Sequence, residues 1–113
     1  MILDMFVCDA FTQERFKGNS AAVVPLLDWL SDDIMLNIAK ENNLSETAFI
    51  KQLGVGHYEI RWFSPICEIE FCGHATLAAS YVLFQHFGVE ERILFDTRYV
   101  GPLEIERDHS GKI

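Results

Sequence analysis

A glutamate near the middle of the chain lies where a carboxylate can do acid–base chemistry. Glu46 follows the predicted end of a helix at Asn42 and Asn43, and it precedes an apolar strand that begins at Thr47. A carboxylate at such an edge, half shielded by Phe49, can have its pKa raised toward neutrality and act as a general acid or base. From position alone a solvated turn residue is the commoner role, because most glutamates are exposed.

The segment Cys72-Gly73-His74 is the second candidate, at the start of a strongly apolar predicted helix. Gly73 lets a ligand approach the backbone, and the free N–H groups of the first helical turn can bind a carboxylate. His74 titrates near neutral pH and can hold or protonate a substrate. Cys72 at a helix N-terminus can be a thiolate of lowered pKa. A packed cysteine, a capping glycine and a histidine bonded to its neighbours are the structural alternatives, which the residues alone leave open.

A polar loop at 15–20 contains Gly18 and is the third candidate. Its Asn19 can reach a ligand, although an ordinary turn is the commoner role of an isolated Gly-Asn pair. The three cysteines form no CxxC pair, so the spacing does not favour zinc or thioredoxin-like chemistry. We therefore predict no metal site, and reduced thiols fit a cytosolic protein.

Charge and hydropathy exclude several classes of partner. The formal net charge of −8 argues against nucleic acid, whose phosphates need a basic patch. No apolar stretch is long enough to cross a bilayer, and the N-terminal residues lack the basic region of a secretory signal. We expect a cytoplasmic protein without nucleic-acid or membrane partners.

The elements that position these residues do not alternate regularly between strand and helix. Hydrophobic spacing predicts strands at 1–11, 21–26, 47–52, 57–64, 66–71, 92–96 and 103–107, and helices at 29–42 and 73–87. The second helix is apolar nearly all round, which predicts burial on every side. The pattern favours an α+β fold, a curved sheet wrapped around a buried central helix, over a doubly wound parallel sheet.

Three segments together resemble the N-terminal half of the PhzF-like family of phenazine biosynthesis. They are DAFT at 9–12 with FKGNSAAVV at 16–24, IAKENNLSETAF at 38–49, and IRWFSP at 60–65 followed by Glu68 and by CGHATLAA at 72–79. Each motif alone is weak evidence, but order and spacing agree from the start of the chain to about residue 87.

The resemblance implies a mostly antiparallel sheet in one lobe of a diaminopimelate epimerase-like fold. In that fold two similar lobes each wrap a sheet around a central helix, and the active site lies in the cleft between them. The implied activity is a cofactor-free isomerase or epimerase reaction that moves a proton at carbon next to an activating group. In the phenazine pathway the substrate is a dihydro-hydroxyanthranilate, so a small carboxylate-bearing substrate is expected here.

The resemblance also implies roles for individual residues. Glu46 is the proton shuttle. A cysteine at the place of Cys72 is a catalytic acid or base in the epimerases, and in PhzF-like proteins this role passes to the glutamate, so Cys72 is a secondary candidate. The expected substrate-binding residues are Gly73, His74, Asn19 and Ser20.

The length of the chain sets a further expectation. Its 113 residues match one N-terminal lobe, whereas the resemblance implies a second lobe that closes the cleft. The chain is then a fragment, a short reading frame, or a protein that forms a homodimer to rebuild two lobes. We expect an isomerase when a second lobe or a second copy completes the site. The alternative is an inactive truncated lobe that only binds a small acid or assembles.

Overall fold

The structure is a computed structural model that describes residues 3–8 and 20–107. In these ranges the chain forms seven strands and two helices. Their order is β1 (Phe6–Cys8), β2 (Ala21–Leu26), α1 (Asp32–Asn42), β3 (Glu46–Gly54), β4 (His57–Phe63), β5 (Glu68–Ile69), α2 (Gly73–His86), β6 (Arg92–Asp96) and β7 (Leu103–Glu106).

All of these strands belong to one curled sheet. The order along the sheet is β1-β2-β3-β4-β6-β7, and the short β5 also pairs with β4. The pairs β2–β3 and β4–β6 are parallel, and the others are antiparallel. The predicted α+β fold with a mostly antiparallel sheet around a central helix is confirmed.

The two helices lie on opposite faces of the sheet. Along β3, Ala48 and Ile50 belong to the apolar cluster that surrounds α2, whereas Phe49 between them belongs to the cluster that packs against α1. Each helix connects two parallel strands, and the strand pairs β2–β3 and β4–β6 run in opposite directions. Both connections are expected to be right-handed, and both move in the same direction along the strand order. Because the two strand pairs run in opposite directions, their helices must lie on opposite faces of the sheet.

Helix α2 is the centre of the larger core. Small residues on its buried side, Ala75, Ala78 and Ala79, allow close approach to the sheet, while Val82 and Leu83 fill the space further along. The sheet contributes its larger side chains to the same core, among them Trp62, Ile60, Ile93 and Phe95. Neither helix within residues 20–107 is long and apolar enough to cross a membrane.

The prediction that helix α2 is buried on every side was wrong. Helix α2 ends at His86, one residue before the predicted end, and Tyr81 and Gln85 are exposed while Leu77 is half-buried. The curled sheet wraps only part of the helix, so one stripe of α2 at helical spacing faces away from it. Contact with the described sheet therefore does not explain why this stripe includes the apolar residues Leu77 and Tyr81.

The predicted strand at 66–71 is also mostly wrong, since only Glu68–Ile69 pairs with β4. The hydroxyl oxygen of Ser64 accepts hydrogen bonds from the N–H groups of Ile66 and Cys67, each at 3.1 Å. The N–H of Ser64 donates to the carbonyl of Cys67 at 2.9 Å. These bonds form a turn in place of a ladder. The strand predicted at 1–11 is limited to Phe6–Cys8 in the described part, and 1–2 and 9–11 lie outside the described residues.

The partial cover of α2 predicts different costs for two leucines of the same helix. Leu83 has no exposed surface, so Leu83→Ala should lower the free energy of unfolding by about 2–5 kcal/mol through lost transfer energy and a cavity. Leu77→Ala, on the half-buried side, should cost clearly less. Urea denaturation followed by circular dichroism measures both. Equal losses would contradict the placement of the helix.

Candidate functional site

The turn between α1 and β3 places Glu46 at the start of a central strand. Helix α1 ends at Asn42 and is capped by Asn43, whose left-handed conformation (φ 51°) turns the chain and whose N–H donates to the carbonyl of Ala39 at 3.2 Å. Glu46 then opens β3, and the next residue, Thr47, is buried and accepts a hydrogen bond from the side chain of Asn42 at 3.2 Å. The helix cap and the Asn42–Thr47 bond therefore fix the backbone around Glu46.

The start of α2 is fixed by a buried chain of hydrogen bonds. The indole N–H of Trp62 on β4 donates to the hydroxyl of Thr76 at 3.0 Å, and that hydroxyl donates to the carbonyl of Cys72 at 2.7 Å. Cys72 is the extended N-cap residue of the helix. Both residues lie in the motifs at 60–65 and 72–79, but the sequence analysis assigned no role to Trp62 or Thr76.

These two elements bring three of the predicted residues together. The Nε2 atom of His74 lies 2.7 Å from Oε2 of Glu46. The Sγ atom of Cys72 lies 3.5 Å from Nδ1 and 3.8 Å from Nε2 of the same ring. With Glu46 ionised, Nε2–H donates to it. The sulfur is nearly equidistant from the two ring nitrogens, so it lies over the ring and not along the lone pair of either. We call this thiol–imidazole–carboxylate cluster the relay.

The relay is partly shielded from water. The side chains of Glu46 and His74 are 18% and 29% exposed, and Cys72 is buried. A partly buried hydrogen bond between an imidazole and a carboxylate is stronger than the same bond in water. The site can therefore hold a proton in a defined place and still be reached by a small molecule from one side.

The expected thiolate of lowered pKa at Cys72 was wrong. Burial, which disfavours the charged form, raises the pKa of the Cys72 thiol, and the nearby carboxylate of Glu46 raises it further. The backbone N–H groups of Ala75 and His74 act in the opposite direction but do not prevail. Cys72 is thus a neutral thiol at neutral pH, able to give a proton rather than take one.

The other predicted site residues lie near this end of the sheet or outside the described ranges. Ser20 is half-buried and directly precedes Ala21, which pairs with Glu46 across β2 and β3. Gly73 is exposed, and a Cβ added there would make only ordinary contact, 3.8 Å, with the ring of Phe71. Asn19 lies outside the described residues.

Residues 8–112 match the family model described as Phenazine biosynthesis-like protein, PhzC-PhzF. The chain belongs to this family. An uncharacterized isomerase of Pseudomonas aeruginosa is 44% identical over 108 residues, covering 96% of this chain and 41% of the relative. The human phenazine biosynthesis-like domain-containing protein is 41% identical over 118 residues, covering 98% of this chain and 41% of that protein. The resemblance predicted from the three motifs is confirmed.

Solved structures agree with this assignment. A PhzF family protein of Enterococcus faecalis superposes with a TM-score of 0.87 at 48% identity, covering 96% of this chain and 42% of that one. A predicted epimerase of Pseudomonas aeruginosa, 23% identical and with a TM-score of 0.75, covers 95% of this chain and 39% of that one and shares the fold. The chain spans about two fifths of the length of these PhzF relatives.

The hydrogen-bonded chain beneath the site predicts a specific cost for losing the Thr76 hydroxyl. Thr76→Val keeps the shape but leaves the buried indole N–H of Trp62 without its acceptor, which should cost about 1–3 kcal/mol. Ser80→Ala is the matched control, because the Ser80 hydroxyl donates only to a carbonyl of its own helix. Chemical denaturation measures both variants. A Thr76→Val cost no larger than that of Ser80→Ala would show that the indole bond contributes little.

Proposed function

We propose that this chain forms one lobe of a cofactor-independent isomerase or epimerase that moves a proton at carbon in a small carboxylate-bearing substrate. The observation that carries the proposal is the 2.7 Å contact between the Glu46 carboxylate and the His74 ring at the start of α2. Membership of the PhzF family, in which a 44% identical relative is named an isomerase, supports the reaction class.

In this proposal Glu46 is the group that takes the proton. The C–H bond next to the activating group breaks, the electron pair moves into that group, and the proton forms the carboxylic acid of Glu46. In an isomerisation Glu46 then gives a proton to a different carbon, whereas an epimerisation needs a second acid that protonates the same carbon from the opposite face. Solvent deuterium enters the product when the acid proton of Glu46 exchanges with water before it is returned. His74 holds the carboxylate in one orientation, and this reduces the freedom lost on reaching the transition state.

The start of α2 is the proposed binding place for the negative end of the substrate. The first N–H groups of a helix have no acceptor within the helix, and the helix dipole favours an anion there. Gly73 and His74 occupy this first turn, and we assign Ser20, and Asn19 before it, to the same substrate pocket. Cys72, as a neutral thiol beside the ring of His74, is the secondary acid.

We also propose that residues 1–113 act as a single N-terminal lobe in the cytoplasm, without nucleic-acid partners, and that the reaction itself uses no metal or cofactor. The net charge of −8 supports the exclusion of nucleic acid. The relatives are more than twice as long as the segment they share with this chain, so the cleft needs a second surface to close it. A lobe that binds a small acid without moving a proton is the alternative function, and the exchange experiment separates the two.

Replacing the proposed shuttle should abolish proton exchange. In deuterated buffer with a dihydro-hydroxyanthranilate as probe, Glu46→Gln should slow deuterium incorporation, followed by NMR, at least about 100-fold. The matched control is Glu41→Gln, a substitution on the exposed side of α1 that should leave the rate unchanged. Exchange at the parent rate in Glu46→Gln would refute the assignment. Binding of the probe without exchange in the parent chain would favour the small-acid binding lobe.

We propose a homodimer as the assembly that supplies the second surface. Three aromatic side chains are about half exposed: Phe71 (51%), Tyr81 (41%) and Phe87 (44%). Exposed aromatic surface of this kind favours association with another protein surface. A two-fold interface lets one self-complementary patch cover itself. Light scattering at micromolar concentration should therefore give twice the 12.9 kDa of one chain. A monodisperse mass of 12.9 kDa would rule the dimer out.

A further inference from the structure

We propose that Glu46, Cys72 and His74 form a binding site for a thiophilic divalent cation, Zn²⁺, whose occupancy shuts off the relay. A sulfur, an imidazole nitrogen and a carboxylate oxygen from these residues lie within 4.8 Å of one another. This donor set matches catalytic zinc sites, which use three protein ligands of these types and keep a fourth position open.

Two side chains must change their torsions to admit the ion. Ideal tetrahedral zinc with ligand bonds of about 2.0–2.3 Å separates its donor atoms by about 3.4–3.6 Å. The Cys72 Sγ atom is 3.8 Å from Nε2 of His74 but also 3.5 Å from Nδ1, so it lies over the ring, and the ring must turn to direct the Nε2 lone pair toward an ion bound to the sulfur. The Glu46 Oε2 atom, at 2.7 Å from Nε2, must withdraw by roughly 0.7 Å, which a change in the side-chain torsions of a glutamate supplies.

The three donors stand on elements that hold them in place. Cys72 and His74 belong to the start of α2, which the bonds from Trp62 through Thr76 fix to β4. Glu46 opens β3 beside the buried Thr47. Donors fixed by the fold lose little freedom when a metal binds. The partly exposed ring of His74 leaves a path for the ion and for a water molecule in the fourth position.

The chemistry of the donors selects the ion. A thiolate with an imidazole suits Zn²⁺, whereas Mg²⁺ and Ca²⁺ prefer sites made wholly of oxygen. The absence of a CxxC pair predicted no metal site, whereas this cluster contains one cysteine and two donors of other types, from segments 26 residues apart. The spacing of one segment alone carries no sign of it.

The regulatory consequence rests on the proposed function, whereas metal binding does not. A bound cation would occupy the Glu46 oxygen and the His74 nitrogen that face each other, so neither could take or hold the proton of a substrate. Zinc would then inhibit exchange, and a chelator would restore it. Binding and inhibition are therefore measured separately.

Binding is tested by calorimetric titration of ZnCl₂ into the reduced 113-residue chain, with MgCl₂ as the hard-cation control. We expect saturable binding of one Zn²⁺ per chain and none of Mg²⁺. CoCl₂ should give the absorption of a four-coordinate ion with a sulfur-to-metal charge-transfer band. Cys72→Ser should remove that band, and Cys72→Ser and His74→Gln should each weaken Zn²⁺ binding at least about 10-fold.

The matched control is Cys67→Ser, which removes an exposed thiol outside the cluster and should leave binding and the band unchanged. Zn²⁺ should also slow alkylation of Cys72 by iodoacetamide in the parent chain while Cys67 reacts at its usual rate, a readout that needs no variant to fold. Absence of saturable binding, binding unchanged in Cys72→Ser, or protection of Cys67 in place of Cys72 would overturn the site. Zinc binding in a chain without exchange activity would leave the site intact and refute the proposed function instead.

Discussion

The hydrogen-bonded chain from Trp62 through Thr76 to the carbonyl of Cys72 is the interaction on which the site depends. All three groups are buried, so each bond that is lost leaves a polar atom without water to replace its partner. These hydrogen bonds fix the first turn of α2 to the middle of the sheet. They thereby determine where the thiol of Cys72 and the ring of His74 lie, since both project from that turn.

The topology brings the second half of the site to the same place. Helix α1 crosses on one face of the sheet and delivers the chain to the start of β3, while α2 begins on the other face. Glu46 is the first residue of β3 and pairs with Ala21 of β2, so it lies at the end of the ladder. A side chain at that edge can reach across to α2 without disturbing the alternation that places Ala48 and Phe49 on opposite faces.

Local sequence patterns predicted much of the fold, whereas most of the site depends on contacts between segments far apart in the sequence. The strand 21–26 was predicted with its observed bounds, because a short, fully apolar run is typical of a buried strand. The prediction of a strand at 66–71 was mostly wrong, because the Ser64 hydroxyl accepts the hydrogen bonds of the Ile66 and Cys67 N–H groups that a sheet ladder would use. The contact between Glu46 and His74 spans 28 residues, and no spacing within either segment encodes it. It became predictable only as an implication of the three motifs occurring together in register.

The raised pKa of Cys72 shows why a helix N-terminus alone does not make a thiolate. Backbone N–H groups favour the anion, but burial and the carboxylate of Glu46 oppose it more strongly. A second negative charge beside Glu46 would be repelled at short range in a poorly solvated place. The cluster therefore places a neutral thiol beside a carboxylate and an imidazole. In the zinc proposal the charge of the bound cation offsets the second negative charge, so the side chains proposed as a proton relay would also serve as its ligands.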